Sequence, residues 1–279
     1  MEMLEEKKME LWNEIDQLAR NWINQAGDQI RASFQKTLNI ESKANRNDLV
    51  TNIDKETEQF FIGKIKSTYP EHRILGEEGF GDELKSMDGI VWIIDPIDGT
   101  MNFIHQQRNF AISIGVYENG IGKLAYIYDV VHDELYFAKK GEGAFLNGER
   151  IQPLRKVKTD EAIIALNATW LVTNKHLDHH LMSSLVRKVR GVRSYGSAAL
   201  EMVYVATGRL DAYISPRLAP WDYAAGKLIV EEVGGKVSTF EGNEVSLIQK
   251  GTLFVSNPFI YDELLNDYIK VAKIQTDRK

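Results

Sequence analysis

The sequence predicts an α/β protein built from two unlike halves, and three patterns carry that reading. Between about residues 109 and 152, apolar residues recur with period two and turn signals punctuate them, which predicts an antiparallel meander sheet in the N-terminal half. After about residue 156, strand-like runs alternate with helix-like ones, which predicts an α/β C-terminal half with helices packed on a sheet. Ahead of both, residues 4–35 place Leu11, Ile15, Leu18 and Trp22 on one face of a 3.6-residue period, a long amphipathic helix. The expected division is an N-terminal α+β half over 1–155 and a C-terminal α/β half over 156–279. No Gly/Ser-rich linker separates them, so the halves are expected to pack as one rigid unit.

The elements follow in order. A second helix is expected after Asp54, carrying Phe60, Phe61 and Ile65 and stopping near Tyr69-Pro70. The apolar run Ile90–Ile94 reads as a buried strand that delivers Asp95 at its carboxyl end. In the meander, Ile112, Ile114 and Val116 alternate with smaller residues before the turn signal Asn119-Gly120. Leu124–Val131 and Glu134–Ala138 are further strands, and Asn147-Gly148 closes another hairpin. In the second half Ala162–Leu166, Asp211–Ser215 and Thr252–Ser256 read as strands. His176–Val189, Ser197–Ala206, Trp221–Val233 and Phe259–Lys273 read as helices.

Composition narrows the function. Of 279 residues 43% are hydrophobic and 10% aromatic, ample for a core and contrary to disorder. Cysteine is absent, which excludes a disulfide framework, a thiolate zinc site, an iron–sulfur cluster and a cysteine nucleophile. The 34 basic and 40 acidic residues give a net charge of −6, which argues against a nucleic-acid polymer as partner. No apolar run approaches the length of a membrane span, and the N-terminus MEMLEEKKMELW lacks the pattern of a signal peptide. The expectation is a soluble cytoplasmic protein.

Four acidic clusters sit in apolar or glycine-rich surroundings: Asp54, the pair Glu77-Glu78, Asp95 with Asp98, and Asp222. Taken singly, each has an ordinary reading as a turn residue, a solvated loop or a helix cap. Together they do not, because a buried carboxylate must be paired, hydrogen-bonded or bound to a cation. The segment Asp95-Pro96-Ile97-Asp98-Gly99-Thr100 is the most informative. Its two carboxylates can address one pair of cations, with the Ile97 carbonyl between them. Oxygen ligands without His or Cys suit Mg²⁺ or Mn²⁺ better than zinc. Gly99 and Thr100 then open a short helix, whose free N–H groups favour a phosphate. His176, His179 and His180 read as surface residues of a polar helix face, not ligands.

Trp92-Ile93-Ile94-Asp95-Pro96-Ile97-Asp98-Gly99-Thr100, followed by Asn102-Phe103, resembles the first signature of the inositol monophosphatase family. Trp221-Asp222-Tyr223-Ala224-Ala225-Gly226, running to Glu232-Val233-Gly234-Gly235, resembles the second. Asp48-Leu49-Val50-Thr51 with Asp54, Gly76-Glu77-Glu78, and Gly141-Glu142-Gly143-Ala144-Phe145 with Asn147-Gly148 stand in the family's order, so the resemblance spans roughly residues 10–270. It implies a Mg²⁺-dependent phosphomonoesterase with a layered α/β/α/β/α sandwich, the sugar phosphatase fold. By position, Glu77, Asp95 and the Ile97 carbonyl would hold one ion, and Asp95, Asp98 and Asp222 a second. A third, weaker ion would lean on Glu77, and Mn²⁺ is a possible substitute. Asp54 and Thr100 match the pair that orients the attacking water, and Gly99 and Thr100 would present N–H groups to phosphate. The resemblance also suggests a homodimer.

On the substrate side Gly196-Ser197-Ala198 resembles the loop that touches substrate hydroxyls. Animal relatives carry a glutamate seven residues before the last metal-binding aspartate, and Ser215 stands there in this chain, followed by Pro216 and Arg217. Arg217 is either a surface charge or a contact for a second phosphate, as in fructose 1,6-bisphosphate or NADP. The expected activity is hydrolysis of a small phosphorylated polyol, sugar or nucleotide with broad specificity, inositol 1-phosphate included. The alternatives are fructose 1,6-bisphosphatase or NADP(H) 2′-phosphatase activity as the main role, and a non-catalytic metal- or phosphate-binding regulatory protein on the same fold.

Overall fold

The computed structural model describes residues 2–43 and 49–273; Asp48, quoted above, lies outside them. In chain order the elements begin with α1 (Glu2–Ser33), the hairpin β1 (Ile40–Ser42) and β2 (Leu49–Thr51), and α2 (Asn52–Thr68). Next come β3 (Arg73–Gly76), β4 (Ile90–Asp98) and the short α3 (Thr100–Gln106). The meander follows as β5 (Ala111–Glu118), β6 (Ile121–Asp129), β7 (Glu134–Lys139), β8 (Gly143–Leu146) and β9 (Glu149–Arg150). The remainder comprises β10 (Ile163–Leu166), α4 (His179–Lys188), β11 (Gly191–Arg193), α5 (Ala198–Ala206), β12 (Ala212–Leu218) and α6 (Pro220–Glu232). It closes with β13 (Lys236–Ser238), β14 (Gly251–Ser256), α7 (Tyr261–Leu264) and α8 (Lys270–Ala272).

Five layers stack as α/β/α/β/α. The first sheet has seven strands in sequence order from β3 to β9, with β3 parallel to β4 and every other neighbour antiparallel. The second has five in the order β11-β10-β12-β14-β13, parallel across the first three and antiparallel beyond. Trp12, Ile15, Trp22, Ile23 and Ile30 of α1, with Phe61 and Ile65 of α2, bury the outer face of the large sheet against Trp92, Ile94, Ile114 and Tyr126. Between the sheets, α5 and α6 pack Met202, Val203, Ala225 and Ile229 against Ala125 and Ile127 on one side and Tyr213 and Val255 on the other. Met182 and Leu185 of α4, with Leu264 and Ile269 near the C-terminus, cover the far face of the small sheet. No helix among the described residues is long and apolar enough to cross a membrane.

Several boundaries differ from the sequence expectation for local reasons. The second helix begins at Asn52, ahead of Asp54, because Thr51 is its N-cap and Asp54 its third residue. The strand expected to end at Asp95 continues to Asp98 through a register shift against β5. The helix expected from His176 starts at His179, after an Asp178 cap that accepts from His180 N–H at 2.9 Å. The closing helix is interrupted by a π-helical turn at Leu265–Ile269. Strand β3, not anticipated, has only Ile74 fully apolar and buried, so its pattern in the sequence is weak.

The middle layer is tight at Gly226, which sets the spacing of the helix bearing Asp222. A Cβ there would lie 2.5 Å from Met202 Sδ and 2.8 Å from Met202 Cβ on α5. Alanine for glycine inside a helix ordinarily gains about 1 kcal/mol. Here overpacking reverses the sign, and Gly226→Ala is expected to destabilise by about 1–3 kcal/mol. Thermal unfolding checks this; a raised Tm would contradict the close contact of the two helices.

Candidate functional site

The site is built where β4 breaks its own alternation. In a regular strand residues three apart face opposite sides. Asp95 pairs with Ser113 and Asp98 with Ala111, so three steps on β4 match two on β5, a β-bulge. The extra residue resets the alternation and lets both carboxylates reach the same place. Pro96 falls inside the bulge, where a missing N–H costs no ladder bond. Ile97 N–H folds back to Asp95 Oδ1 at 3.0 Å. Carboxylate oxygens of Asp95, Asp98 and Asp222 lie within 4.8 Å of one another, and this is the one such trio of potential ligands among the described residues.

Glu77 comes from the neighbouring parallel strand. It follows β3, with Gly76 paired to Ile94, and Glu77 N–H donates to the Ile94 carbonyl at 3.3 Å. Two residues that sequence reasoning missed hold this turn. Glu58 of α2 is fully buried and accepts from Glu78 N–H at 2.7 Å and Phe80 N–H at 3.0 Å. Its carboxylate occupies the space over Gly76, where a Cβ would lie 2.5 Å from Glu58 Cδ. The second, Lys43, reaches Glu77 at 3.0 Å and Glu78 at 2.6 Å. Burial lifts the Glu78 carboxyl to about 7, against the pull of Lys43. Position Glu58, four residues after Asp54 on one helix, carries the only sequence signal for this support: a buried-face spacing occupied by an acid.

Asp54 and Thr100 lie in hydrogen-bond contact. Asp54 Oδ2 accepts the N–H of Thr51 at 2.9 Å, closing the capping box of α2. Its Oδ1 lies 2.8 Å from Thr100 Oγ1, which is also 3.1 Å from the Ile97 carbonyl. With one proton, the Thr100 hydroxyl donates to one of these at a time. Gly99 caps α3 in the left-handed region at φ +97°, a conformation that only glycine adopts freely. A Cβ there would come within 3.3 Å of the Gly196 carbonyl, so the two loops touch backbone to backbone. Asn102 ties them further, donating to the Asn109 carbonyl at 2.8 Å and the Tyr195 carbonyl at 2.6 Å.

Helix starts supply the other side. Asp222 is the third residue of α6 and accepts from Ala219 N–H at 2.7 Å. Ser197 caps α5 and hydrogen-bonds Asp98, and Ala199 N–H reaches the same Asp98 oxygen at 2.8 Å. Gly196, Ser197, Ala198 and Ser215 line a cavity of about 250 Å³ with Asp98 and Asp222. Arg217 is exposed, stands outside that lining and lies near His176.

Electrostatics make the acidic trio incomplete by itself. Burial, then repulsion from Glu77, Asp98 and Asp222, pushes the Asp95 carboxyl well above its ordinary range. Burial and Asp98 do the same to Asp222. Asp98 rises to about 6, chiefly through burial, although Ser197 and Ala199 favour its charge. No cationic side chain is hydrogen-bonded to any of the three among the described residues. A set of hard oxygen donors carrying excess negative charge fits divalent cations of the Mg²⁺ type.

Comparison with known proteins agrees with this geometry. Residues 11–273 match the model of the inositol monophosphatase family. The inositol-1-monophosphatase of Bacillus subtilis is 56% identical over 262 residues, covering 94% of this chain and 99% of that protein. The fructose-1,6-bisphosphatase/inositol-1-monophosphatase of Thermotoga maritima is 36% identical, covering 87% and 91% of the two chains. A solved IMPase/NADP phosphatase in complex with Mg²⁺ and phosphate superposes with a TM-score of 0.85 at 31% identity, covering 91% of this chain and 95% of that one. The chain therefore belongs to the inositol monophosphatase family and is a phosphomonoesterase.

Proposed function

We propose that the protein hydrolyses a small phosphorylated polyol, sugar or nucleotide with Mg²⁺, and with broad specificity that includes inositol 1-phosphate. The observation that carries this reading is the convergence of Asp95, Asp98 and Asp222 within 4.8 Å beside a cavity of about 250 Å³. We assign Glu77, Asp95 and the Ile97 carbonyl to one ion, and Asp95, Asp98 and Asp222 to a second. Glu77 also suits a third, weaker ion, and Mn²⁺ is expected to substitute. Such ions, when bound, neutralise the ester dianion and lower the pKa of water.

The chain's own groups do the rest. The Thr100 hydroxyl, 2.8 Å from Asp54 Oδ1, donates a hydrogen bond to that carboxylate and so turns a lone pair outward to accept a hydrogen bond from the attacking water, which it orients. Asp54 is buried and held by Thr51, which fixes the direction of that hydrogen bond. Gly99 and Thr100 offer backbone N–H groups to the phosphate. Gly196, Ser197, Ala198 and Ser215 form the wall on the alcohol side. Arg217 is left as the rim charge able to meet a second phosphate. The reading also takes in a division into halves at 155/156, where the rhythm of the sequence changes, a homodimer, which family membership suggests, and a cytoplasmic setting.

Asp95→Asn is expected to lower Mg²⁺-dependent phosphate release at least about 10³-fold, the scale of losing one electrostatic transition-state contact. Folding is checked by circular dichroism, and folded mutant protein within tenfold of wild type would sink the proposal. Ser215 in place of a carboxylate predicts little discrimination among substrates. kcat/KM for inositol 1-phosphate, fructose 1,6-bisphosphate and NADP should agree within about tenfold, or about 1.4 kcal/mol. A hundredfold preference for inositol 1-phosphate would show that this wall is read wrongly.

A further inference from the structure

The cavity beside the acidic cluster contains a carboxylate that the proposed chemistry leaves idle. Glu201, in the first turn of α5, is 4% exposed and lines the cavity together with Ser215. Its Oε1 accepts from Tyr195 N–H at 2.6 Å and from Gly196 N–H at 3.3 Å. Those two bonds fix the loop that places Ser197 on Asp98, and they occupy one oxygen only. Oε2 has no hydrogen-bond partner among the described residues. No described buried side-chain oxygen is both sealed and unpartnered, so Oε2 opens onto the cavity it lines.

Glu58, a loop anchor elsewhere in the molecule, spends both carboxylate oxygens on backbone N–H groups, whereas Glu201 spends one. Burying an ionisable group is costly, and burial lifts the Glu201 carboxyl to about 7. Near neutral pH the group therefore presents an acceptor or a donor, and a hydroxyl can satisfy either. The remaining lining agrees with such a ligand: Ser215, Tyr213 and Asn167 are polar and uncharged, and no Lys, Arg or His lines the cavity. A hydroxyl of the alcohol next to the scissile ester would find matched partners there.

Resting on the phosphatase reading above, we infer that Glu201 is the specificity residue that hydrogen-bonds a hydroxyl of the departing alcohol, favouring esters whose alcohol carries a free hydroxyl, as inositol 1-phosphate, fructose 1,6-bisphosphate and NADP all do, over esters that lack one. A site built to bind a hydroxyl rejects the analogue that lacks it. The test is a ratio of kcat/KM for glycerol 2-phosphate over isopropyl phosphate, two esters that differ only in hydroxyls. Wild type should show a ratio of at least about tenfold. Glu201→Gln keeps an acceptor for the Tyr195 and Gly196 N–H groups and should lower the ratio severalfold, and Glu201→Ala should bring it close to one. A purely structural Glu201 would depress both substrates equally and leave the ratio unchanged, which would overturn the inference. A wild-type ratio near one would overturn it as well, even if neither variant folds. Hydrolysis of p-nitrophenyl phosphate by wild type separates the two claims: without it the phosphatase reading fails, and with it an unmoved ratio removes only the role of Glu201.

Discussion

Mutual repulsion among buried carboxylates is the constraint on which this architecture turns. Glu77, Asp95, Asp98 and Asp222 come from three separate stretches of chain, and three of them converge, Asp95 and Asp98 buried and Asp222 half-buried. Left alone such a cluster would protonate or push apart. The fold opposes that with rigid placements: the parallel pair β3 and β4 sets Glu77, just past the end of β3, beside Asp95, and a bulge turns Asp98 toward the same point. The middle helix layer, wedged between two sheets, brings in Asp222 on α6. The remaining imbalance of charge is what makes the site a receptor for divalent cations.

Helix beginnings recur as the means of holding these acids. Asp54 and Asp222 each occupy the third position of a helix and accept the N–H of the residue at its cap. Asp98 points at the start of α5, where Ser197 and Ala199 receive it. A negative charge near a helix N-terminus is favoured by about 0.3–1 kcal/mol. One short-range device thus tolerates charge and directs its free oxygens. Glu58 and Glu201 repeat the logic on loops, each accepting two backbone N–H groups next to a glycine with no side chain to intrude.

Much of this was legible in the sequence because its signals are local. The apolar run into Asp95, the long amphipathic helix and the period-two meander each announce an element without knowledge of its neighbours. Asp54 and Thr100, 46 residues apart, were joined by resemblance, and their hydroxyl–carboxylate contact now has a distance of 2.8 Å. The continuation of β4 through Pro96 was not legible, because a bulge is decided by pairing with β5 and leaves no composition of its own. Glu58 and Lys43 escaped for a related reason: an isolated acid or lysine in a polar stretch acquires meaning only when tertiary packing buries it. Glu201 is different, a lone acid in the apolar run Ala198–Ala206, and that local signal was overlooked. Arg217, prominent beside Ser215 in sequence, lies at the surface because β12 shifts register between Ser215 and Leu218.

The claim that unbalanced carboxylates create the cation site is tested most directly by thermal unfolding across pH, with and without Mg²⁺. A carboxyl whose pKa is raised in the folded state binds its proton more tightly folded than unfolded, so it stabilises at low pH and that contribution is lost as pH rises through the folded value. For metal-free protein the loss is expected to begin below pH 6, the value reached by Asp98, and to continue above it as Asp95 and Asp222 ionise. Mg²⁺ replaces the protons, so the Tm difference between loaded and chelated protein should widen between about pH 5 and pH 8, by several degrees. A difference that stays constant or narrows over that range would contradict the account.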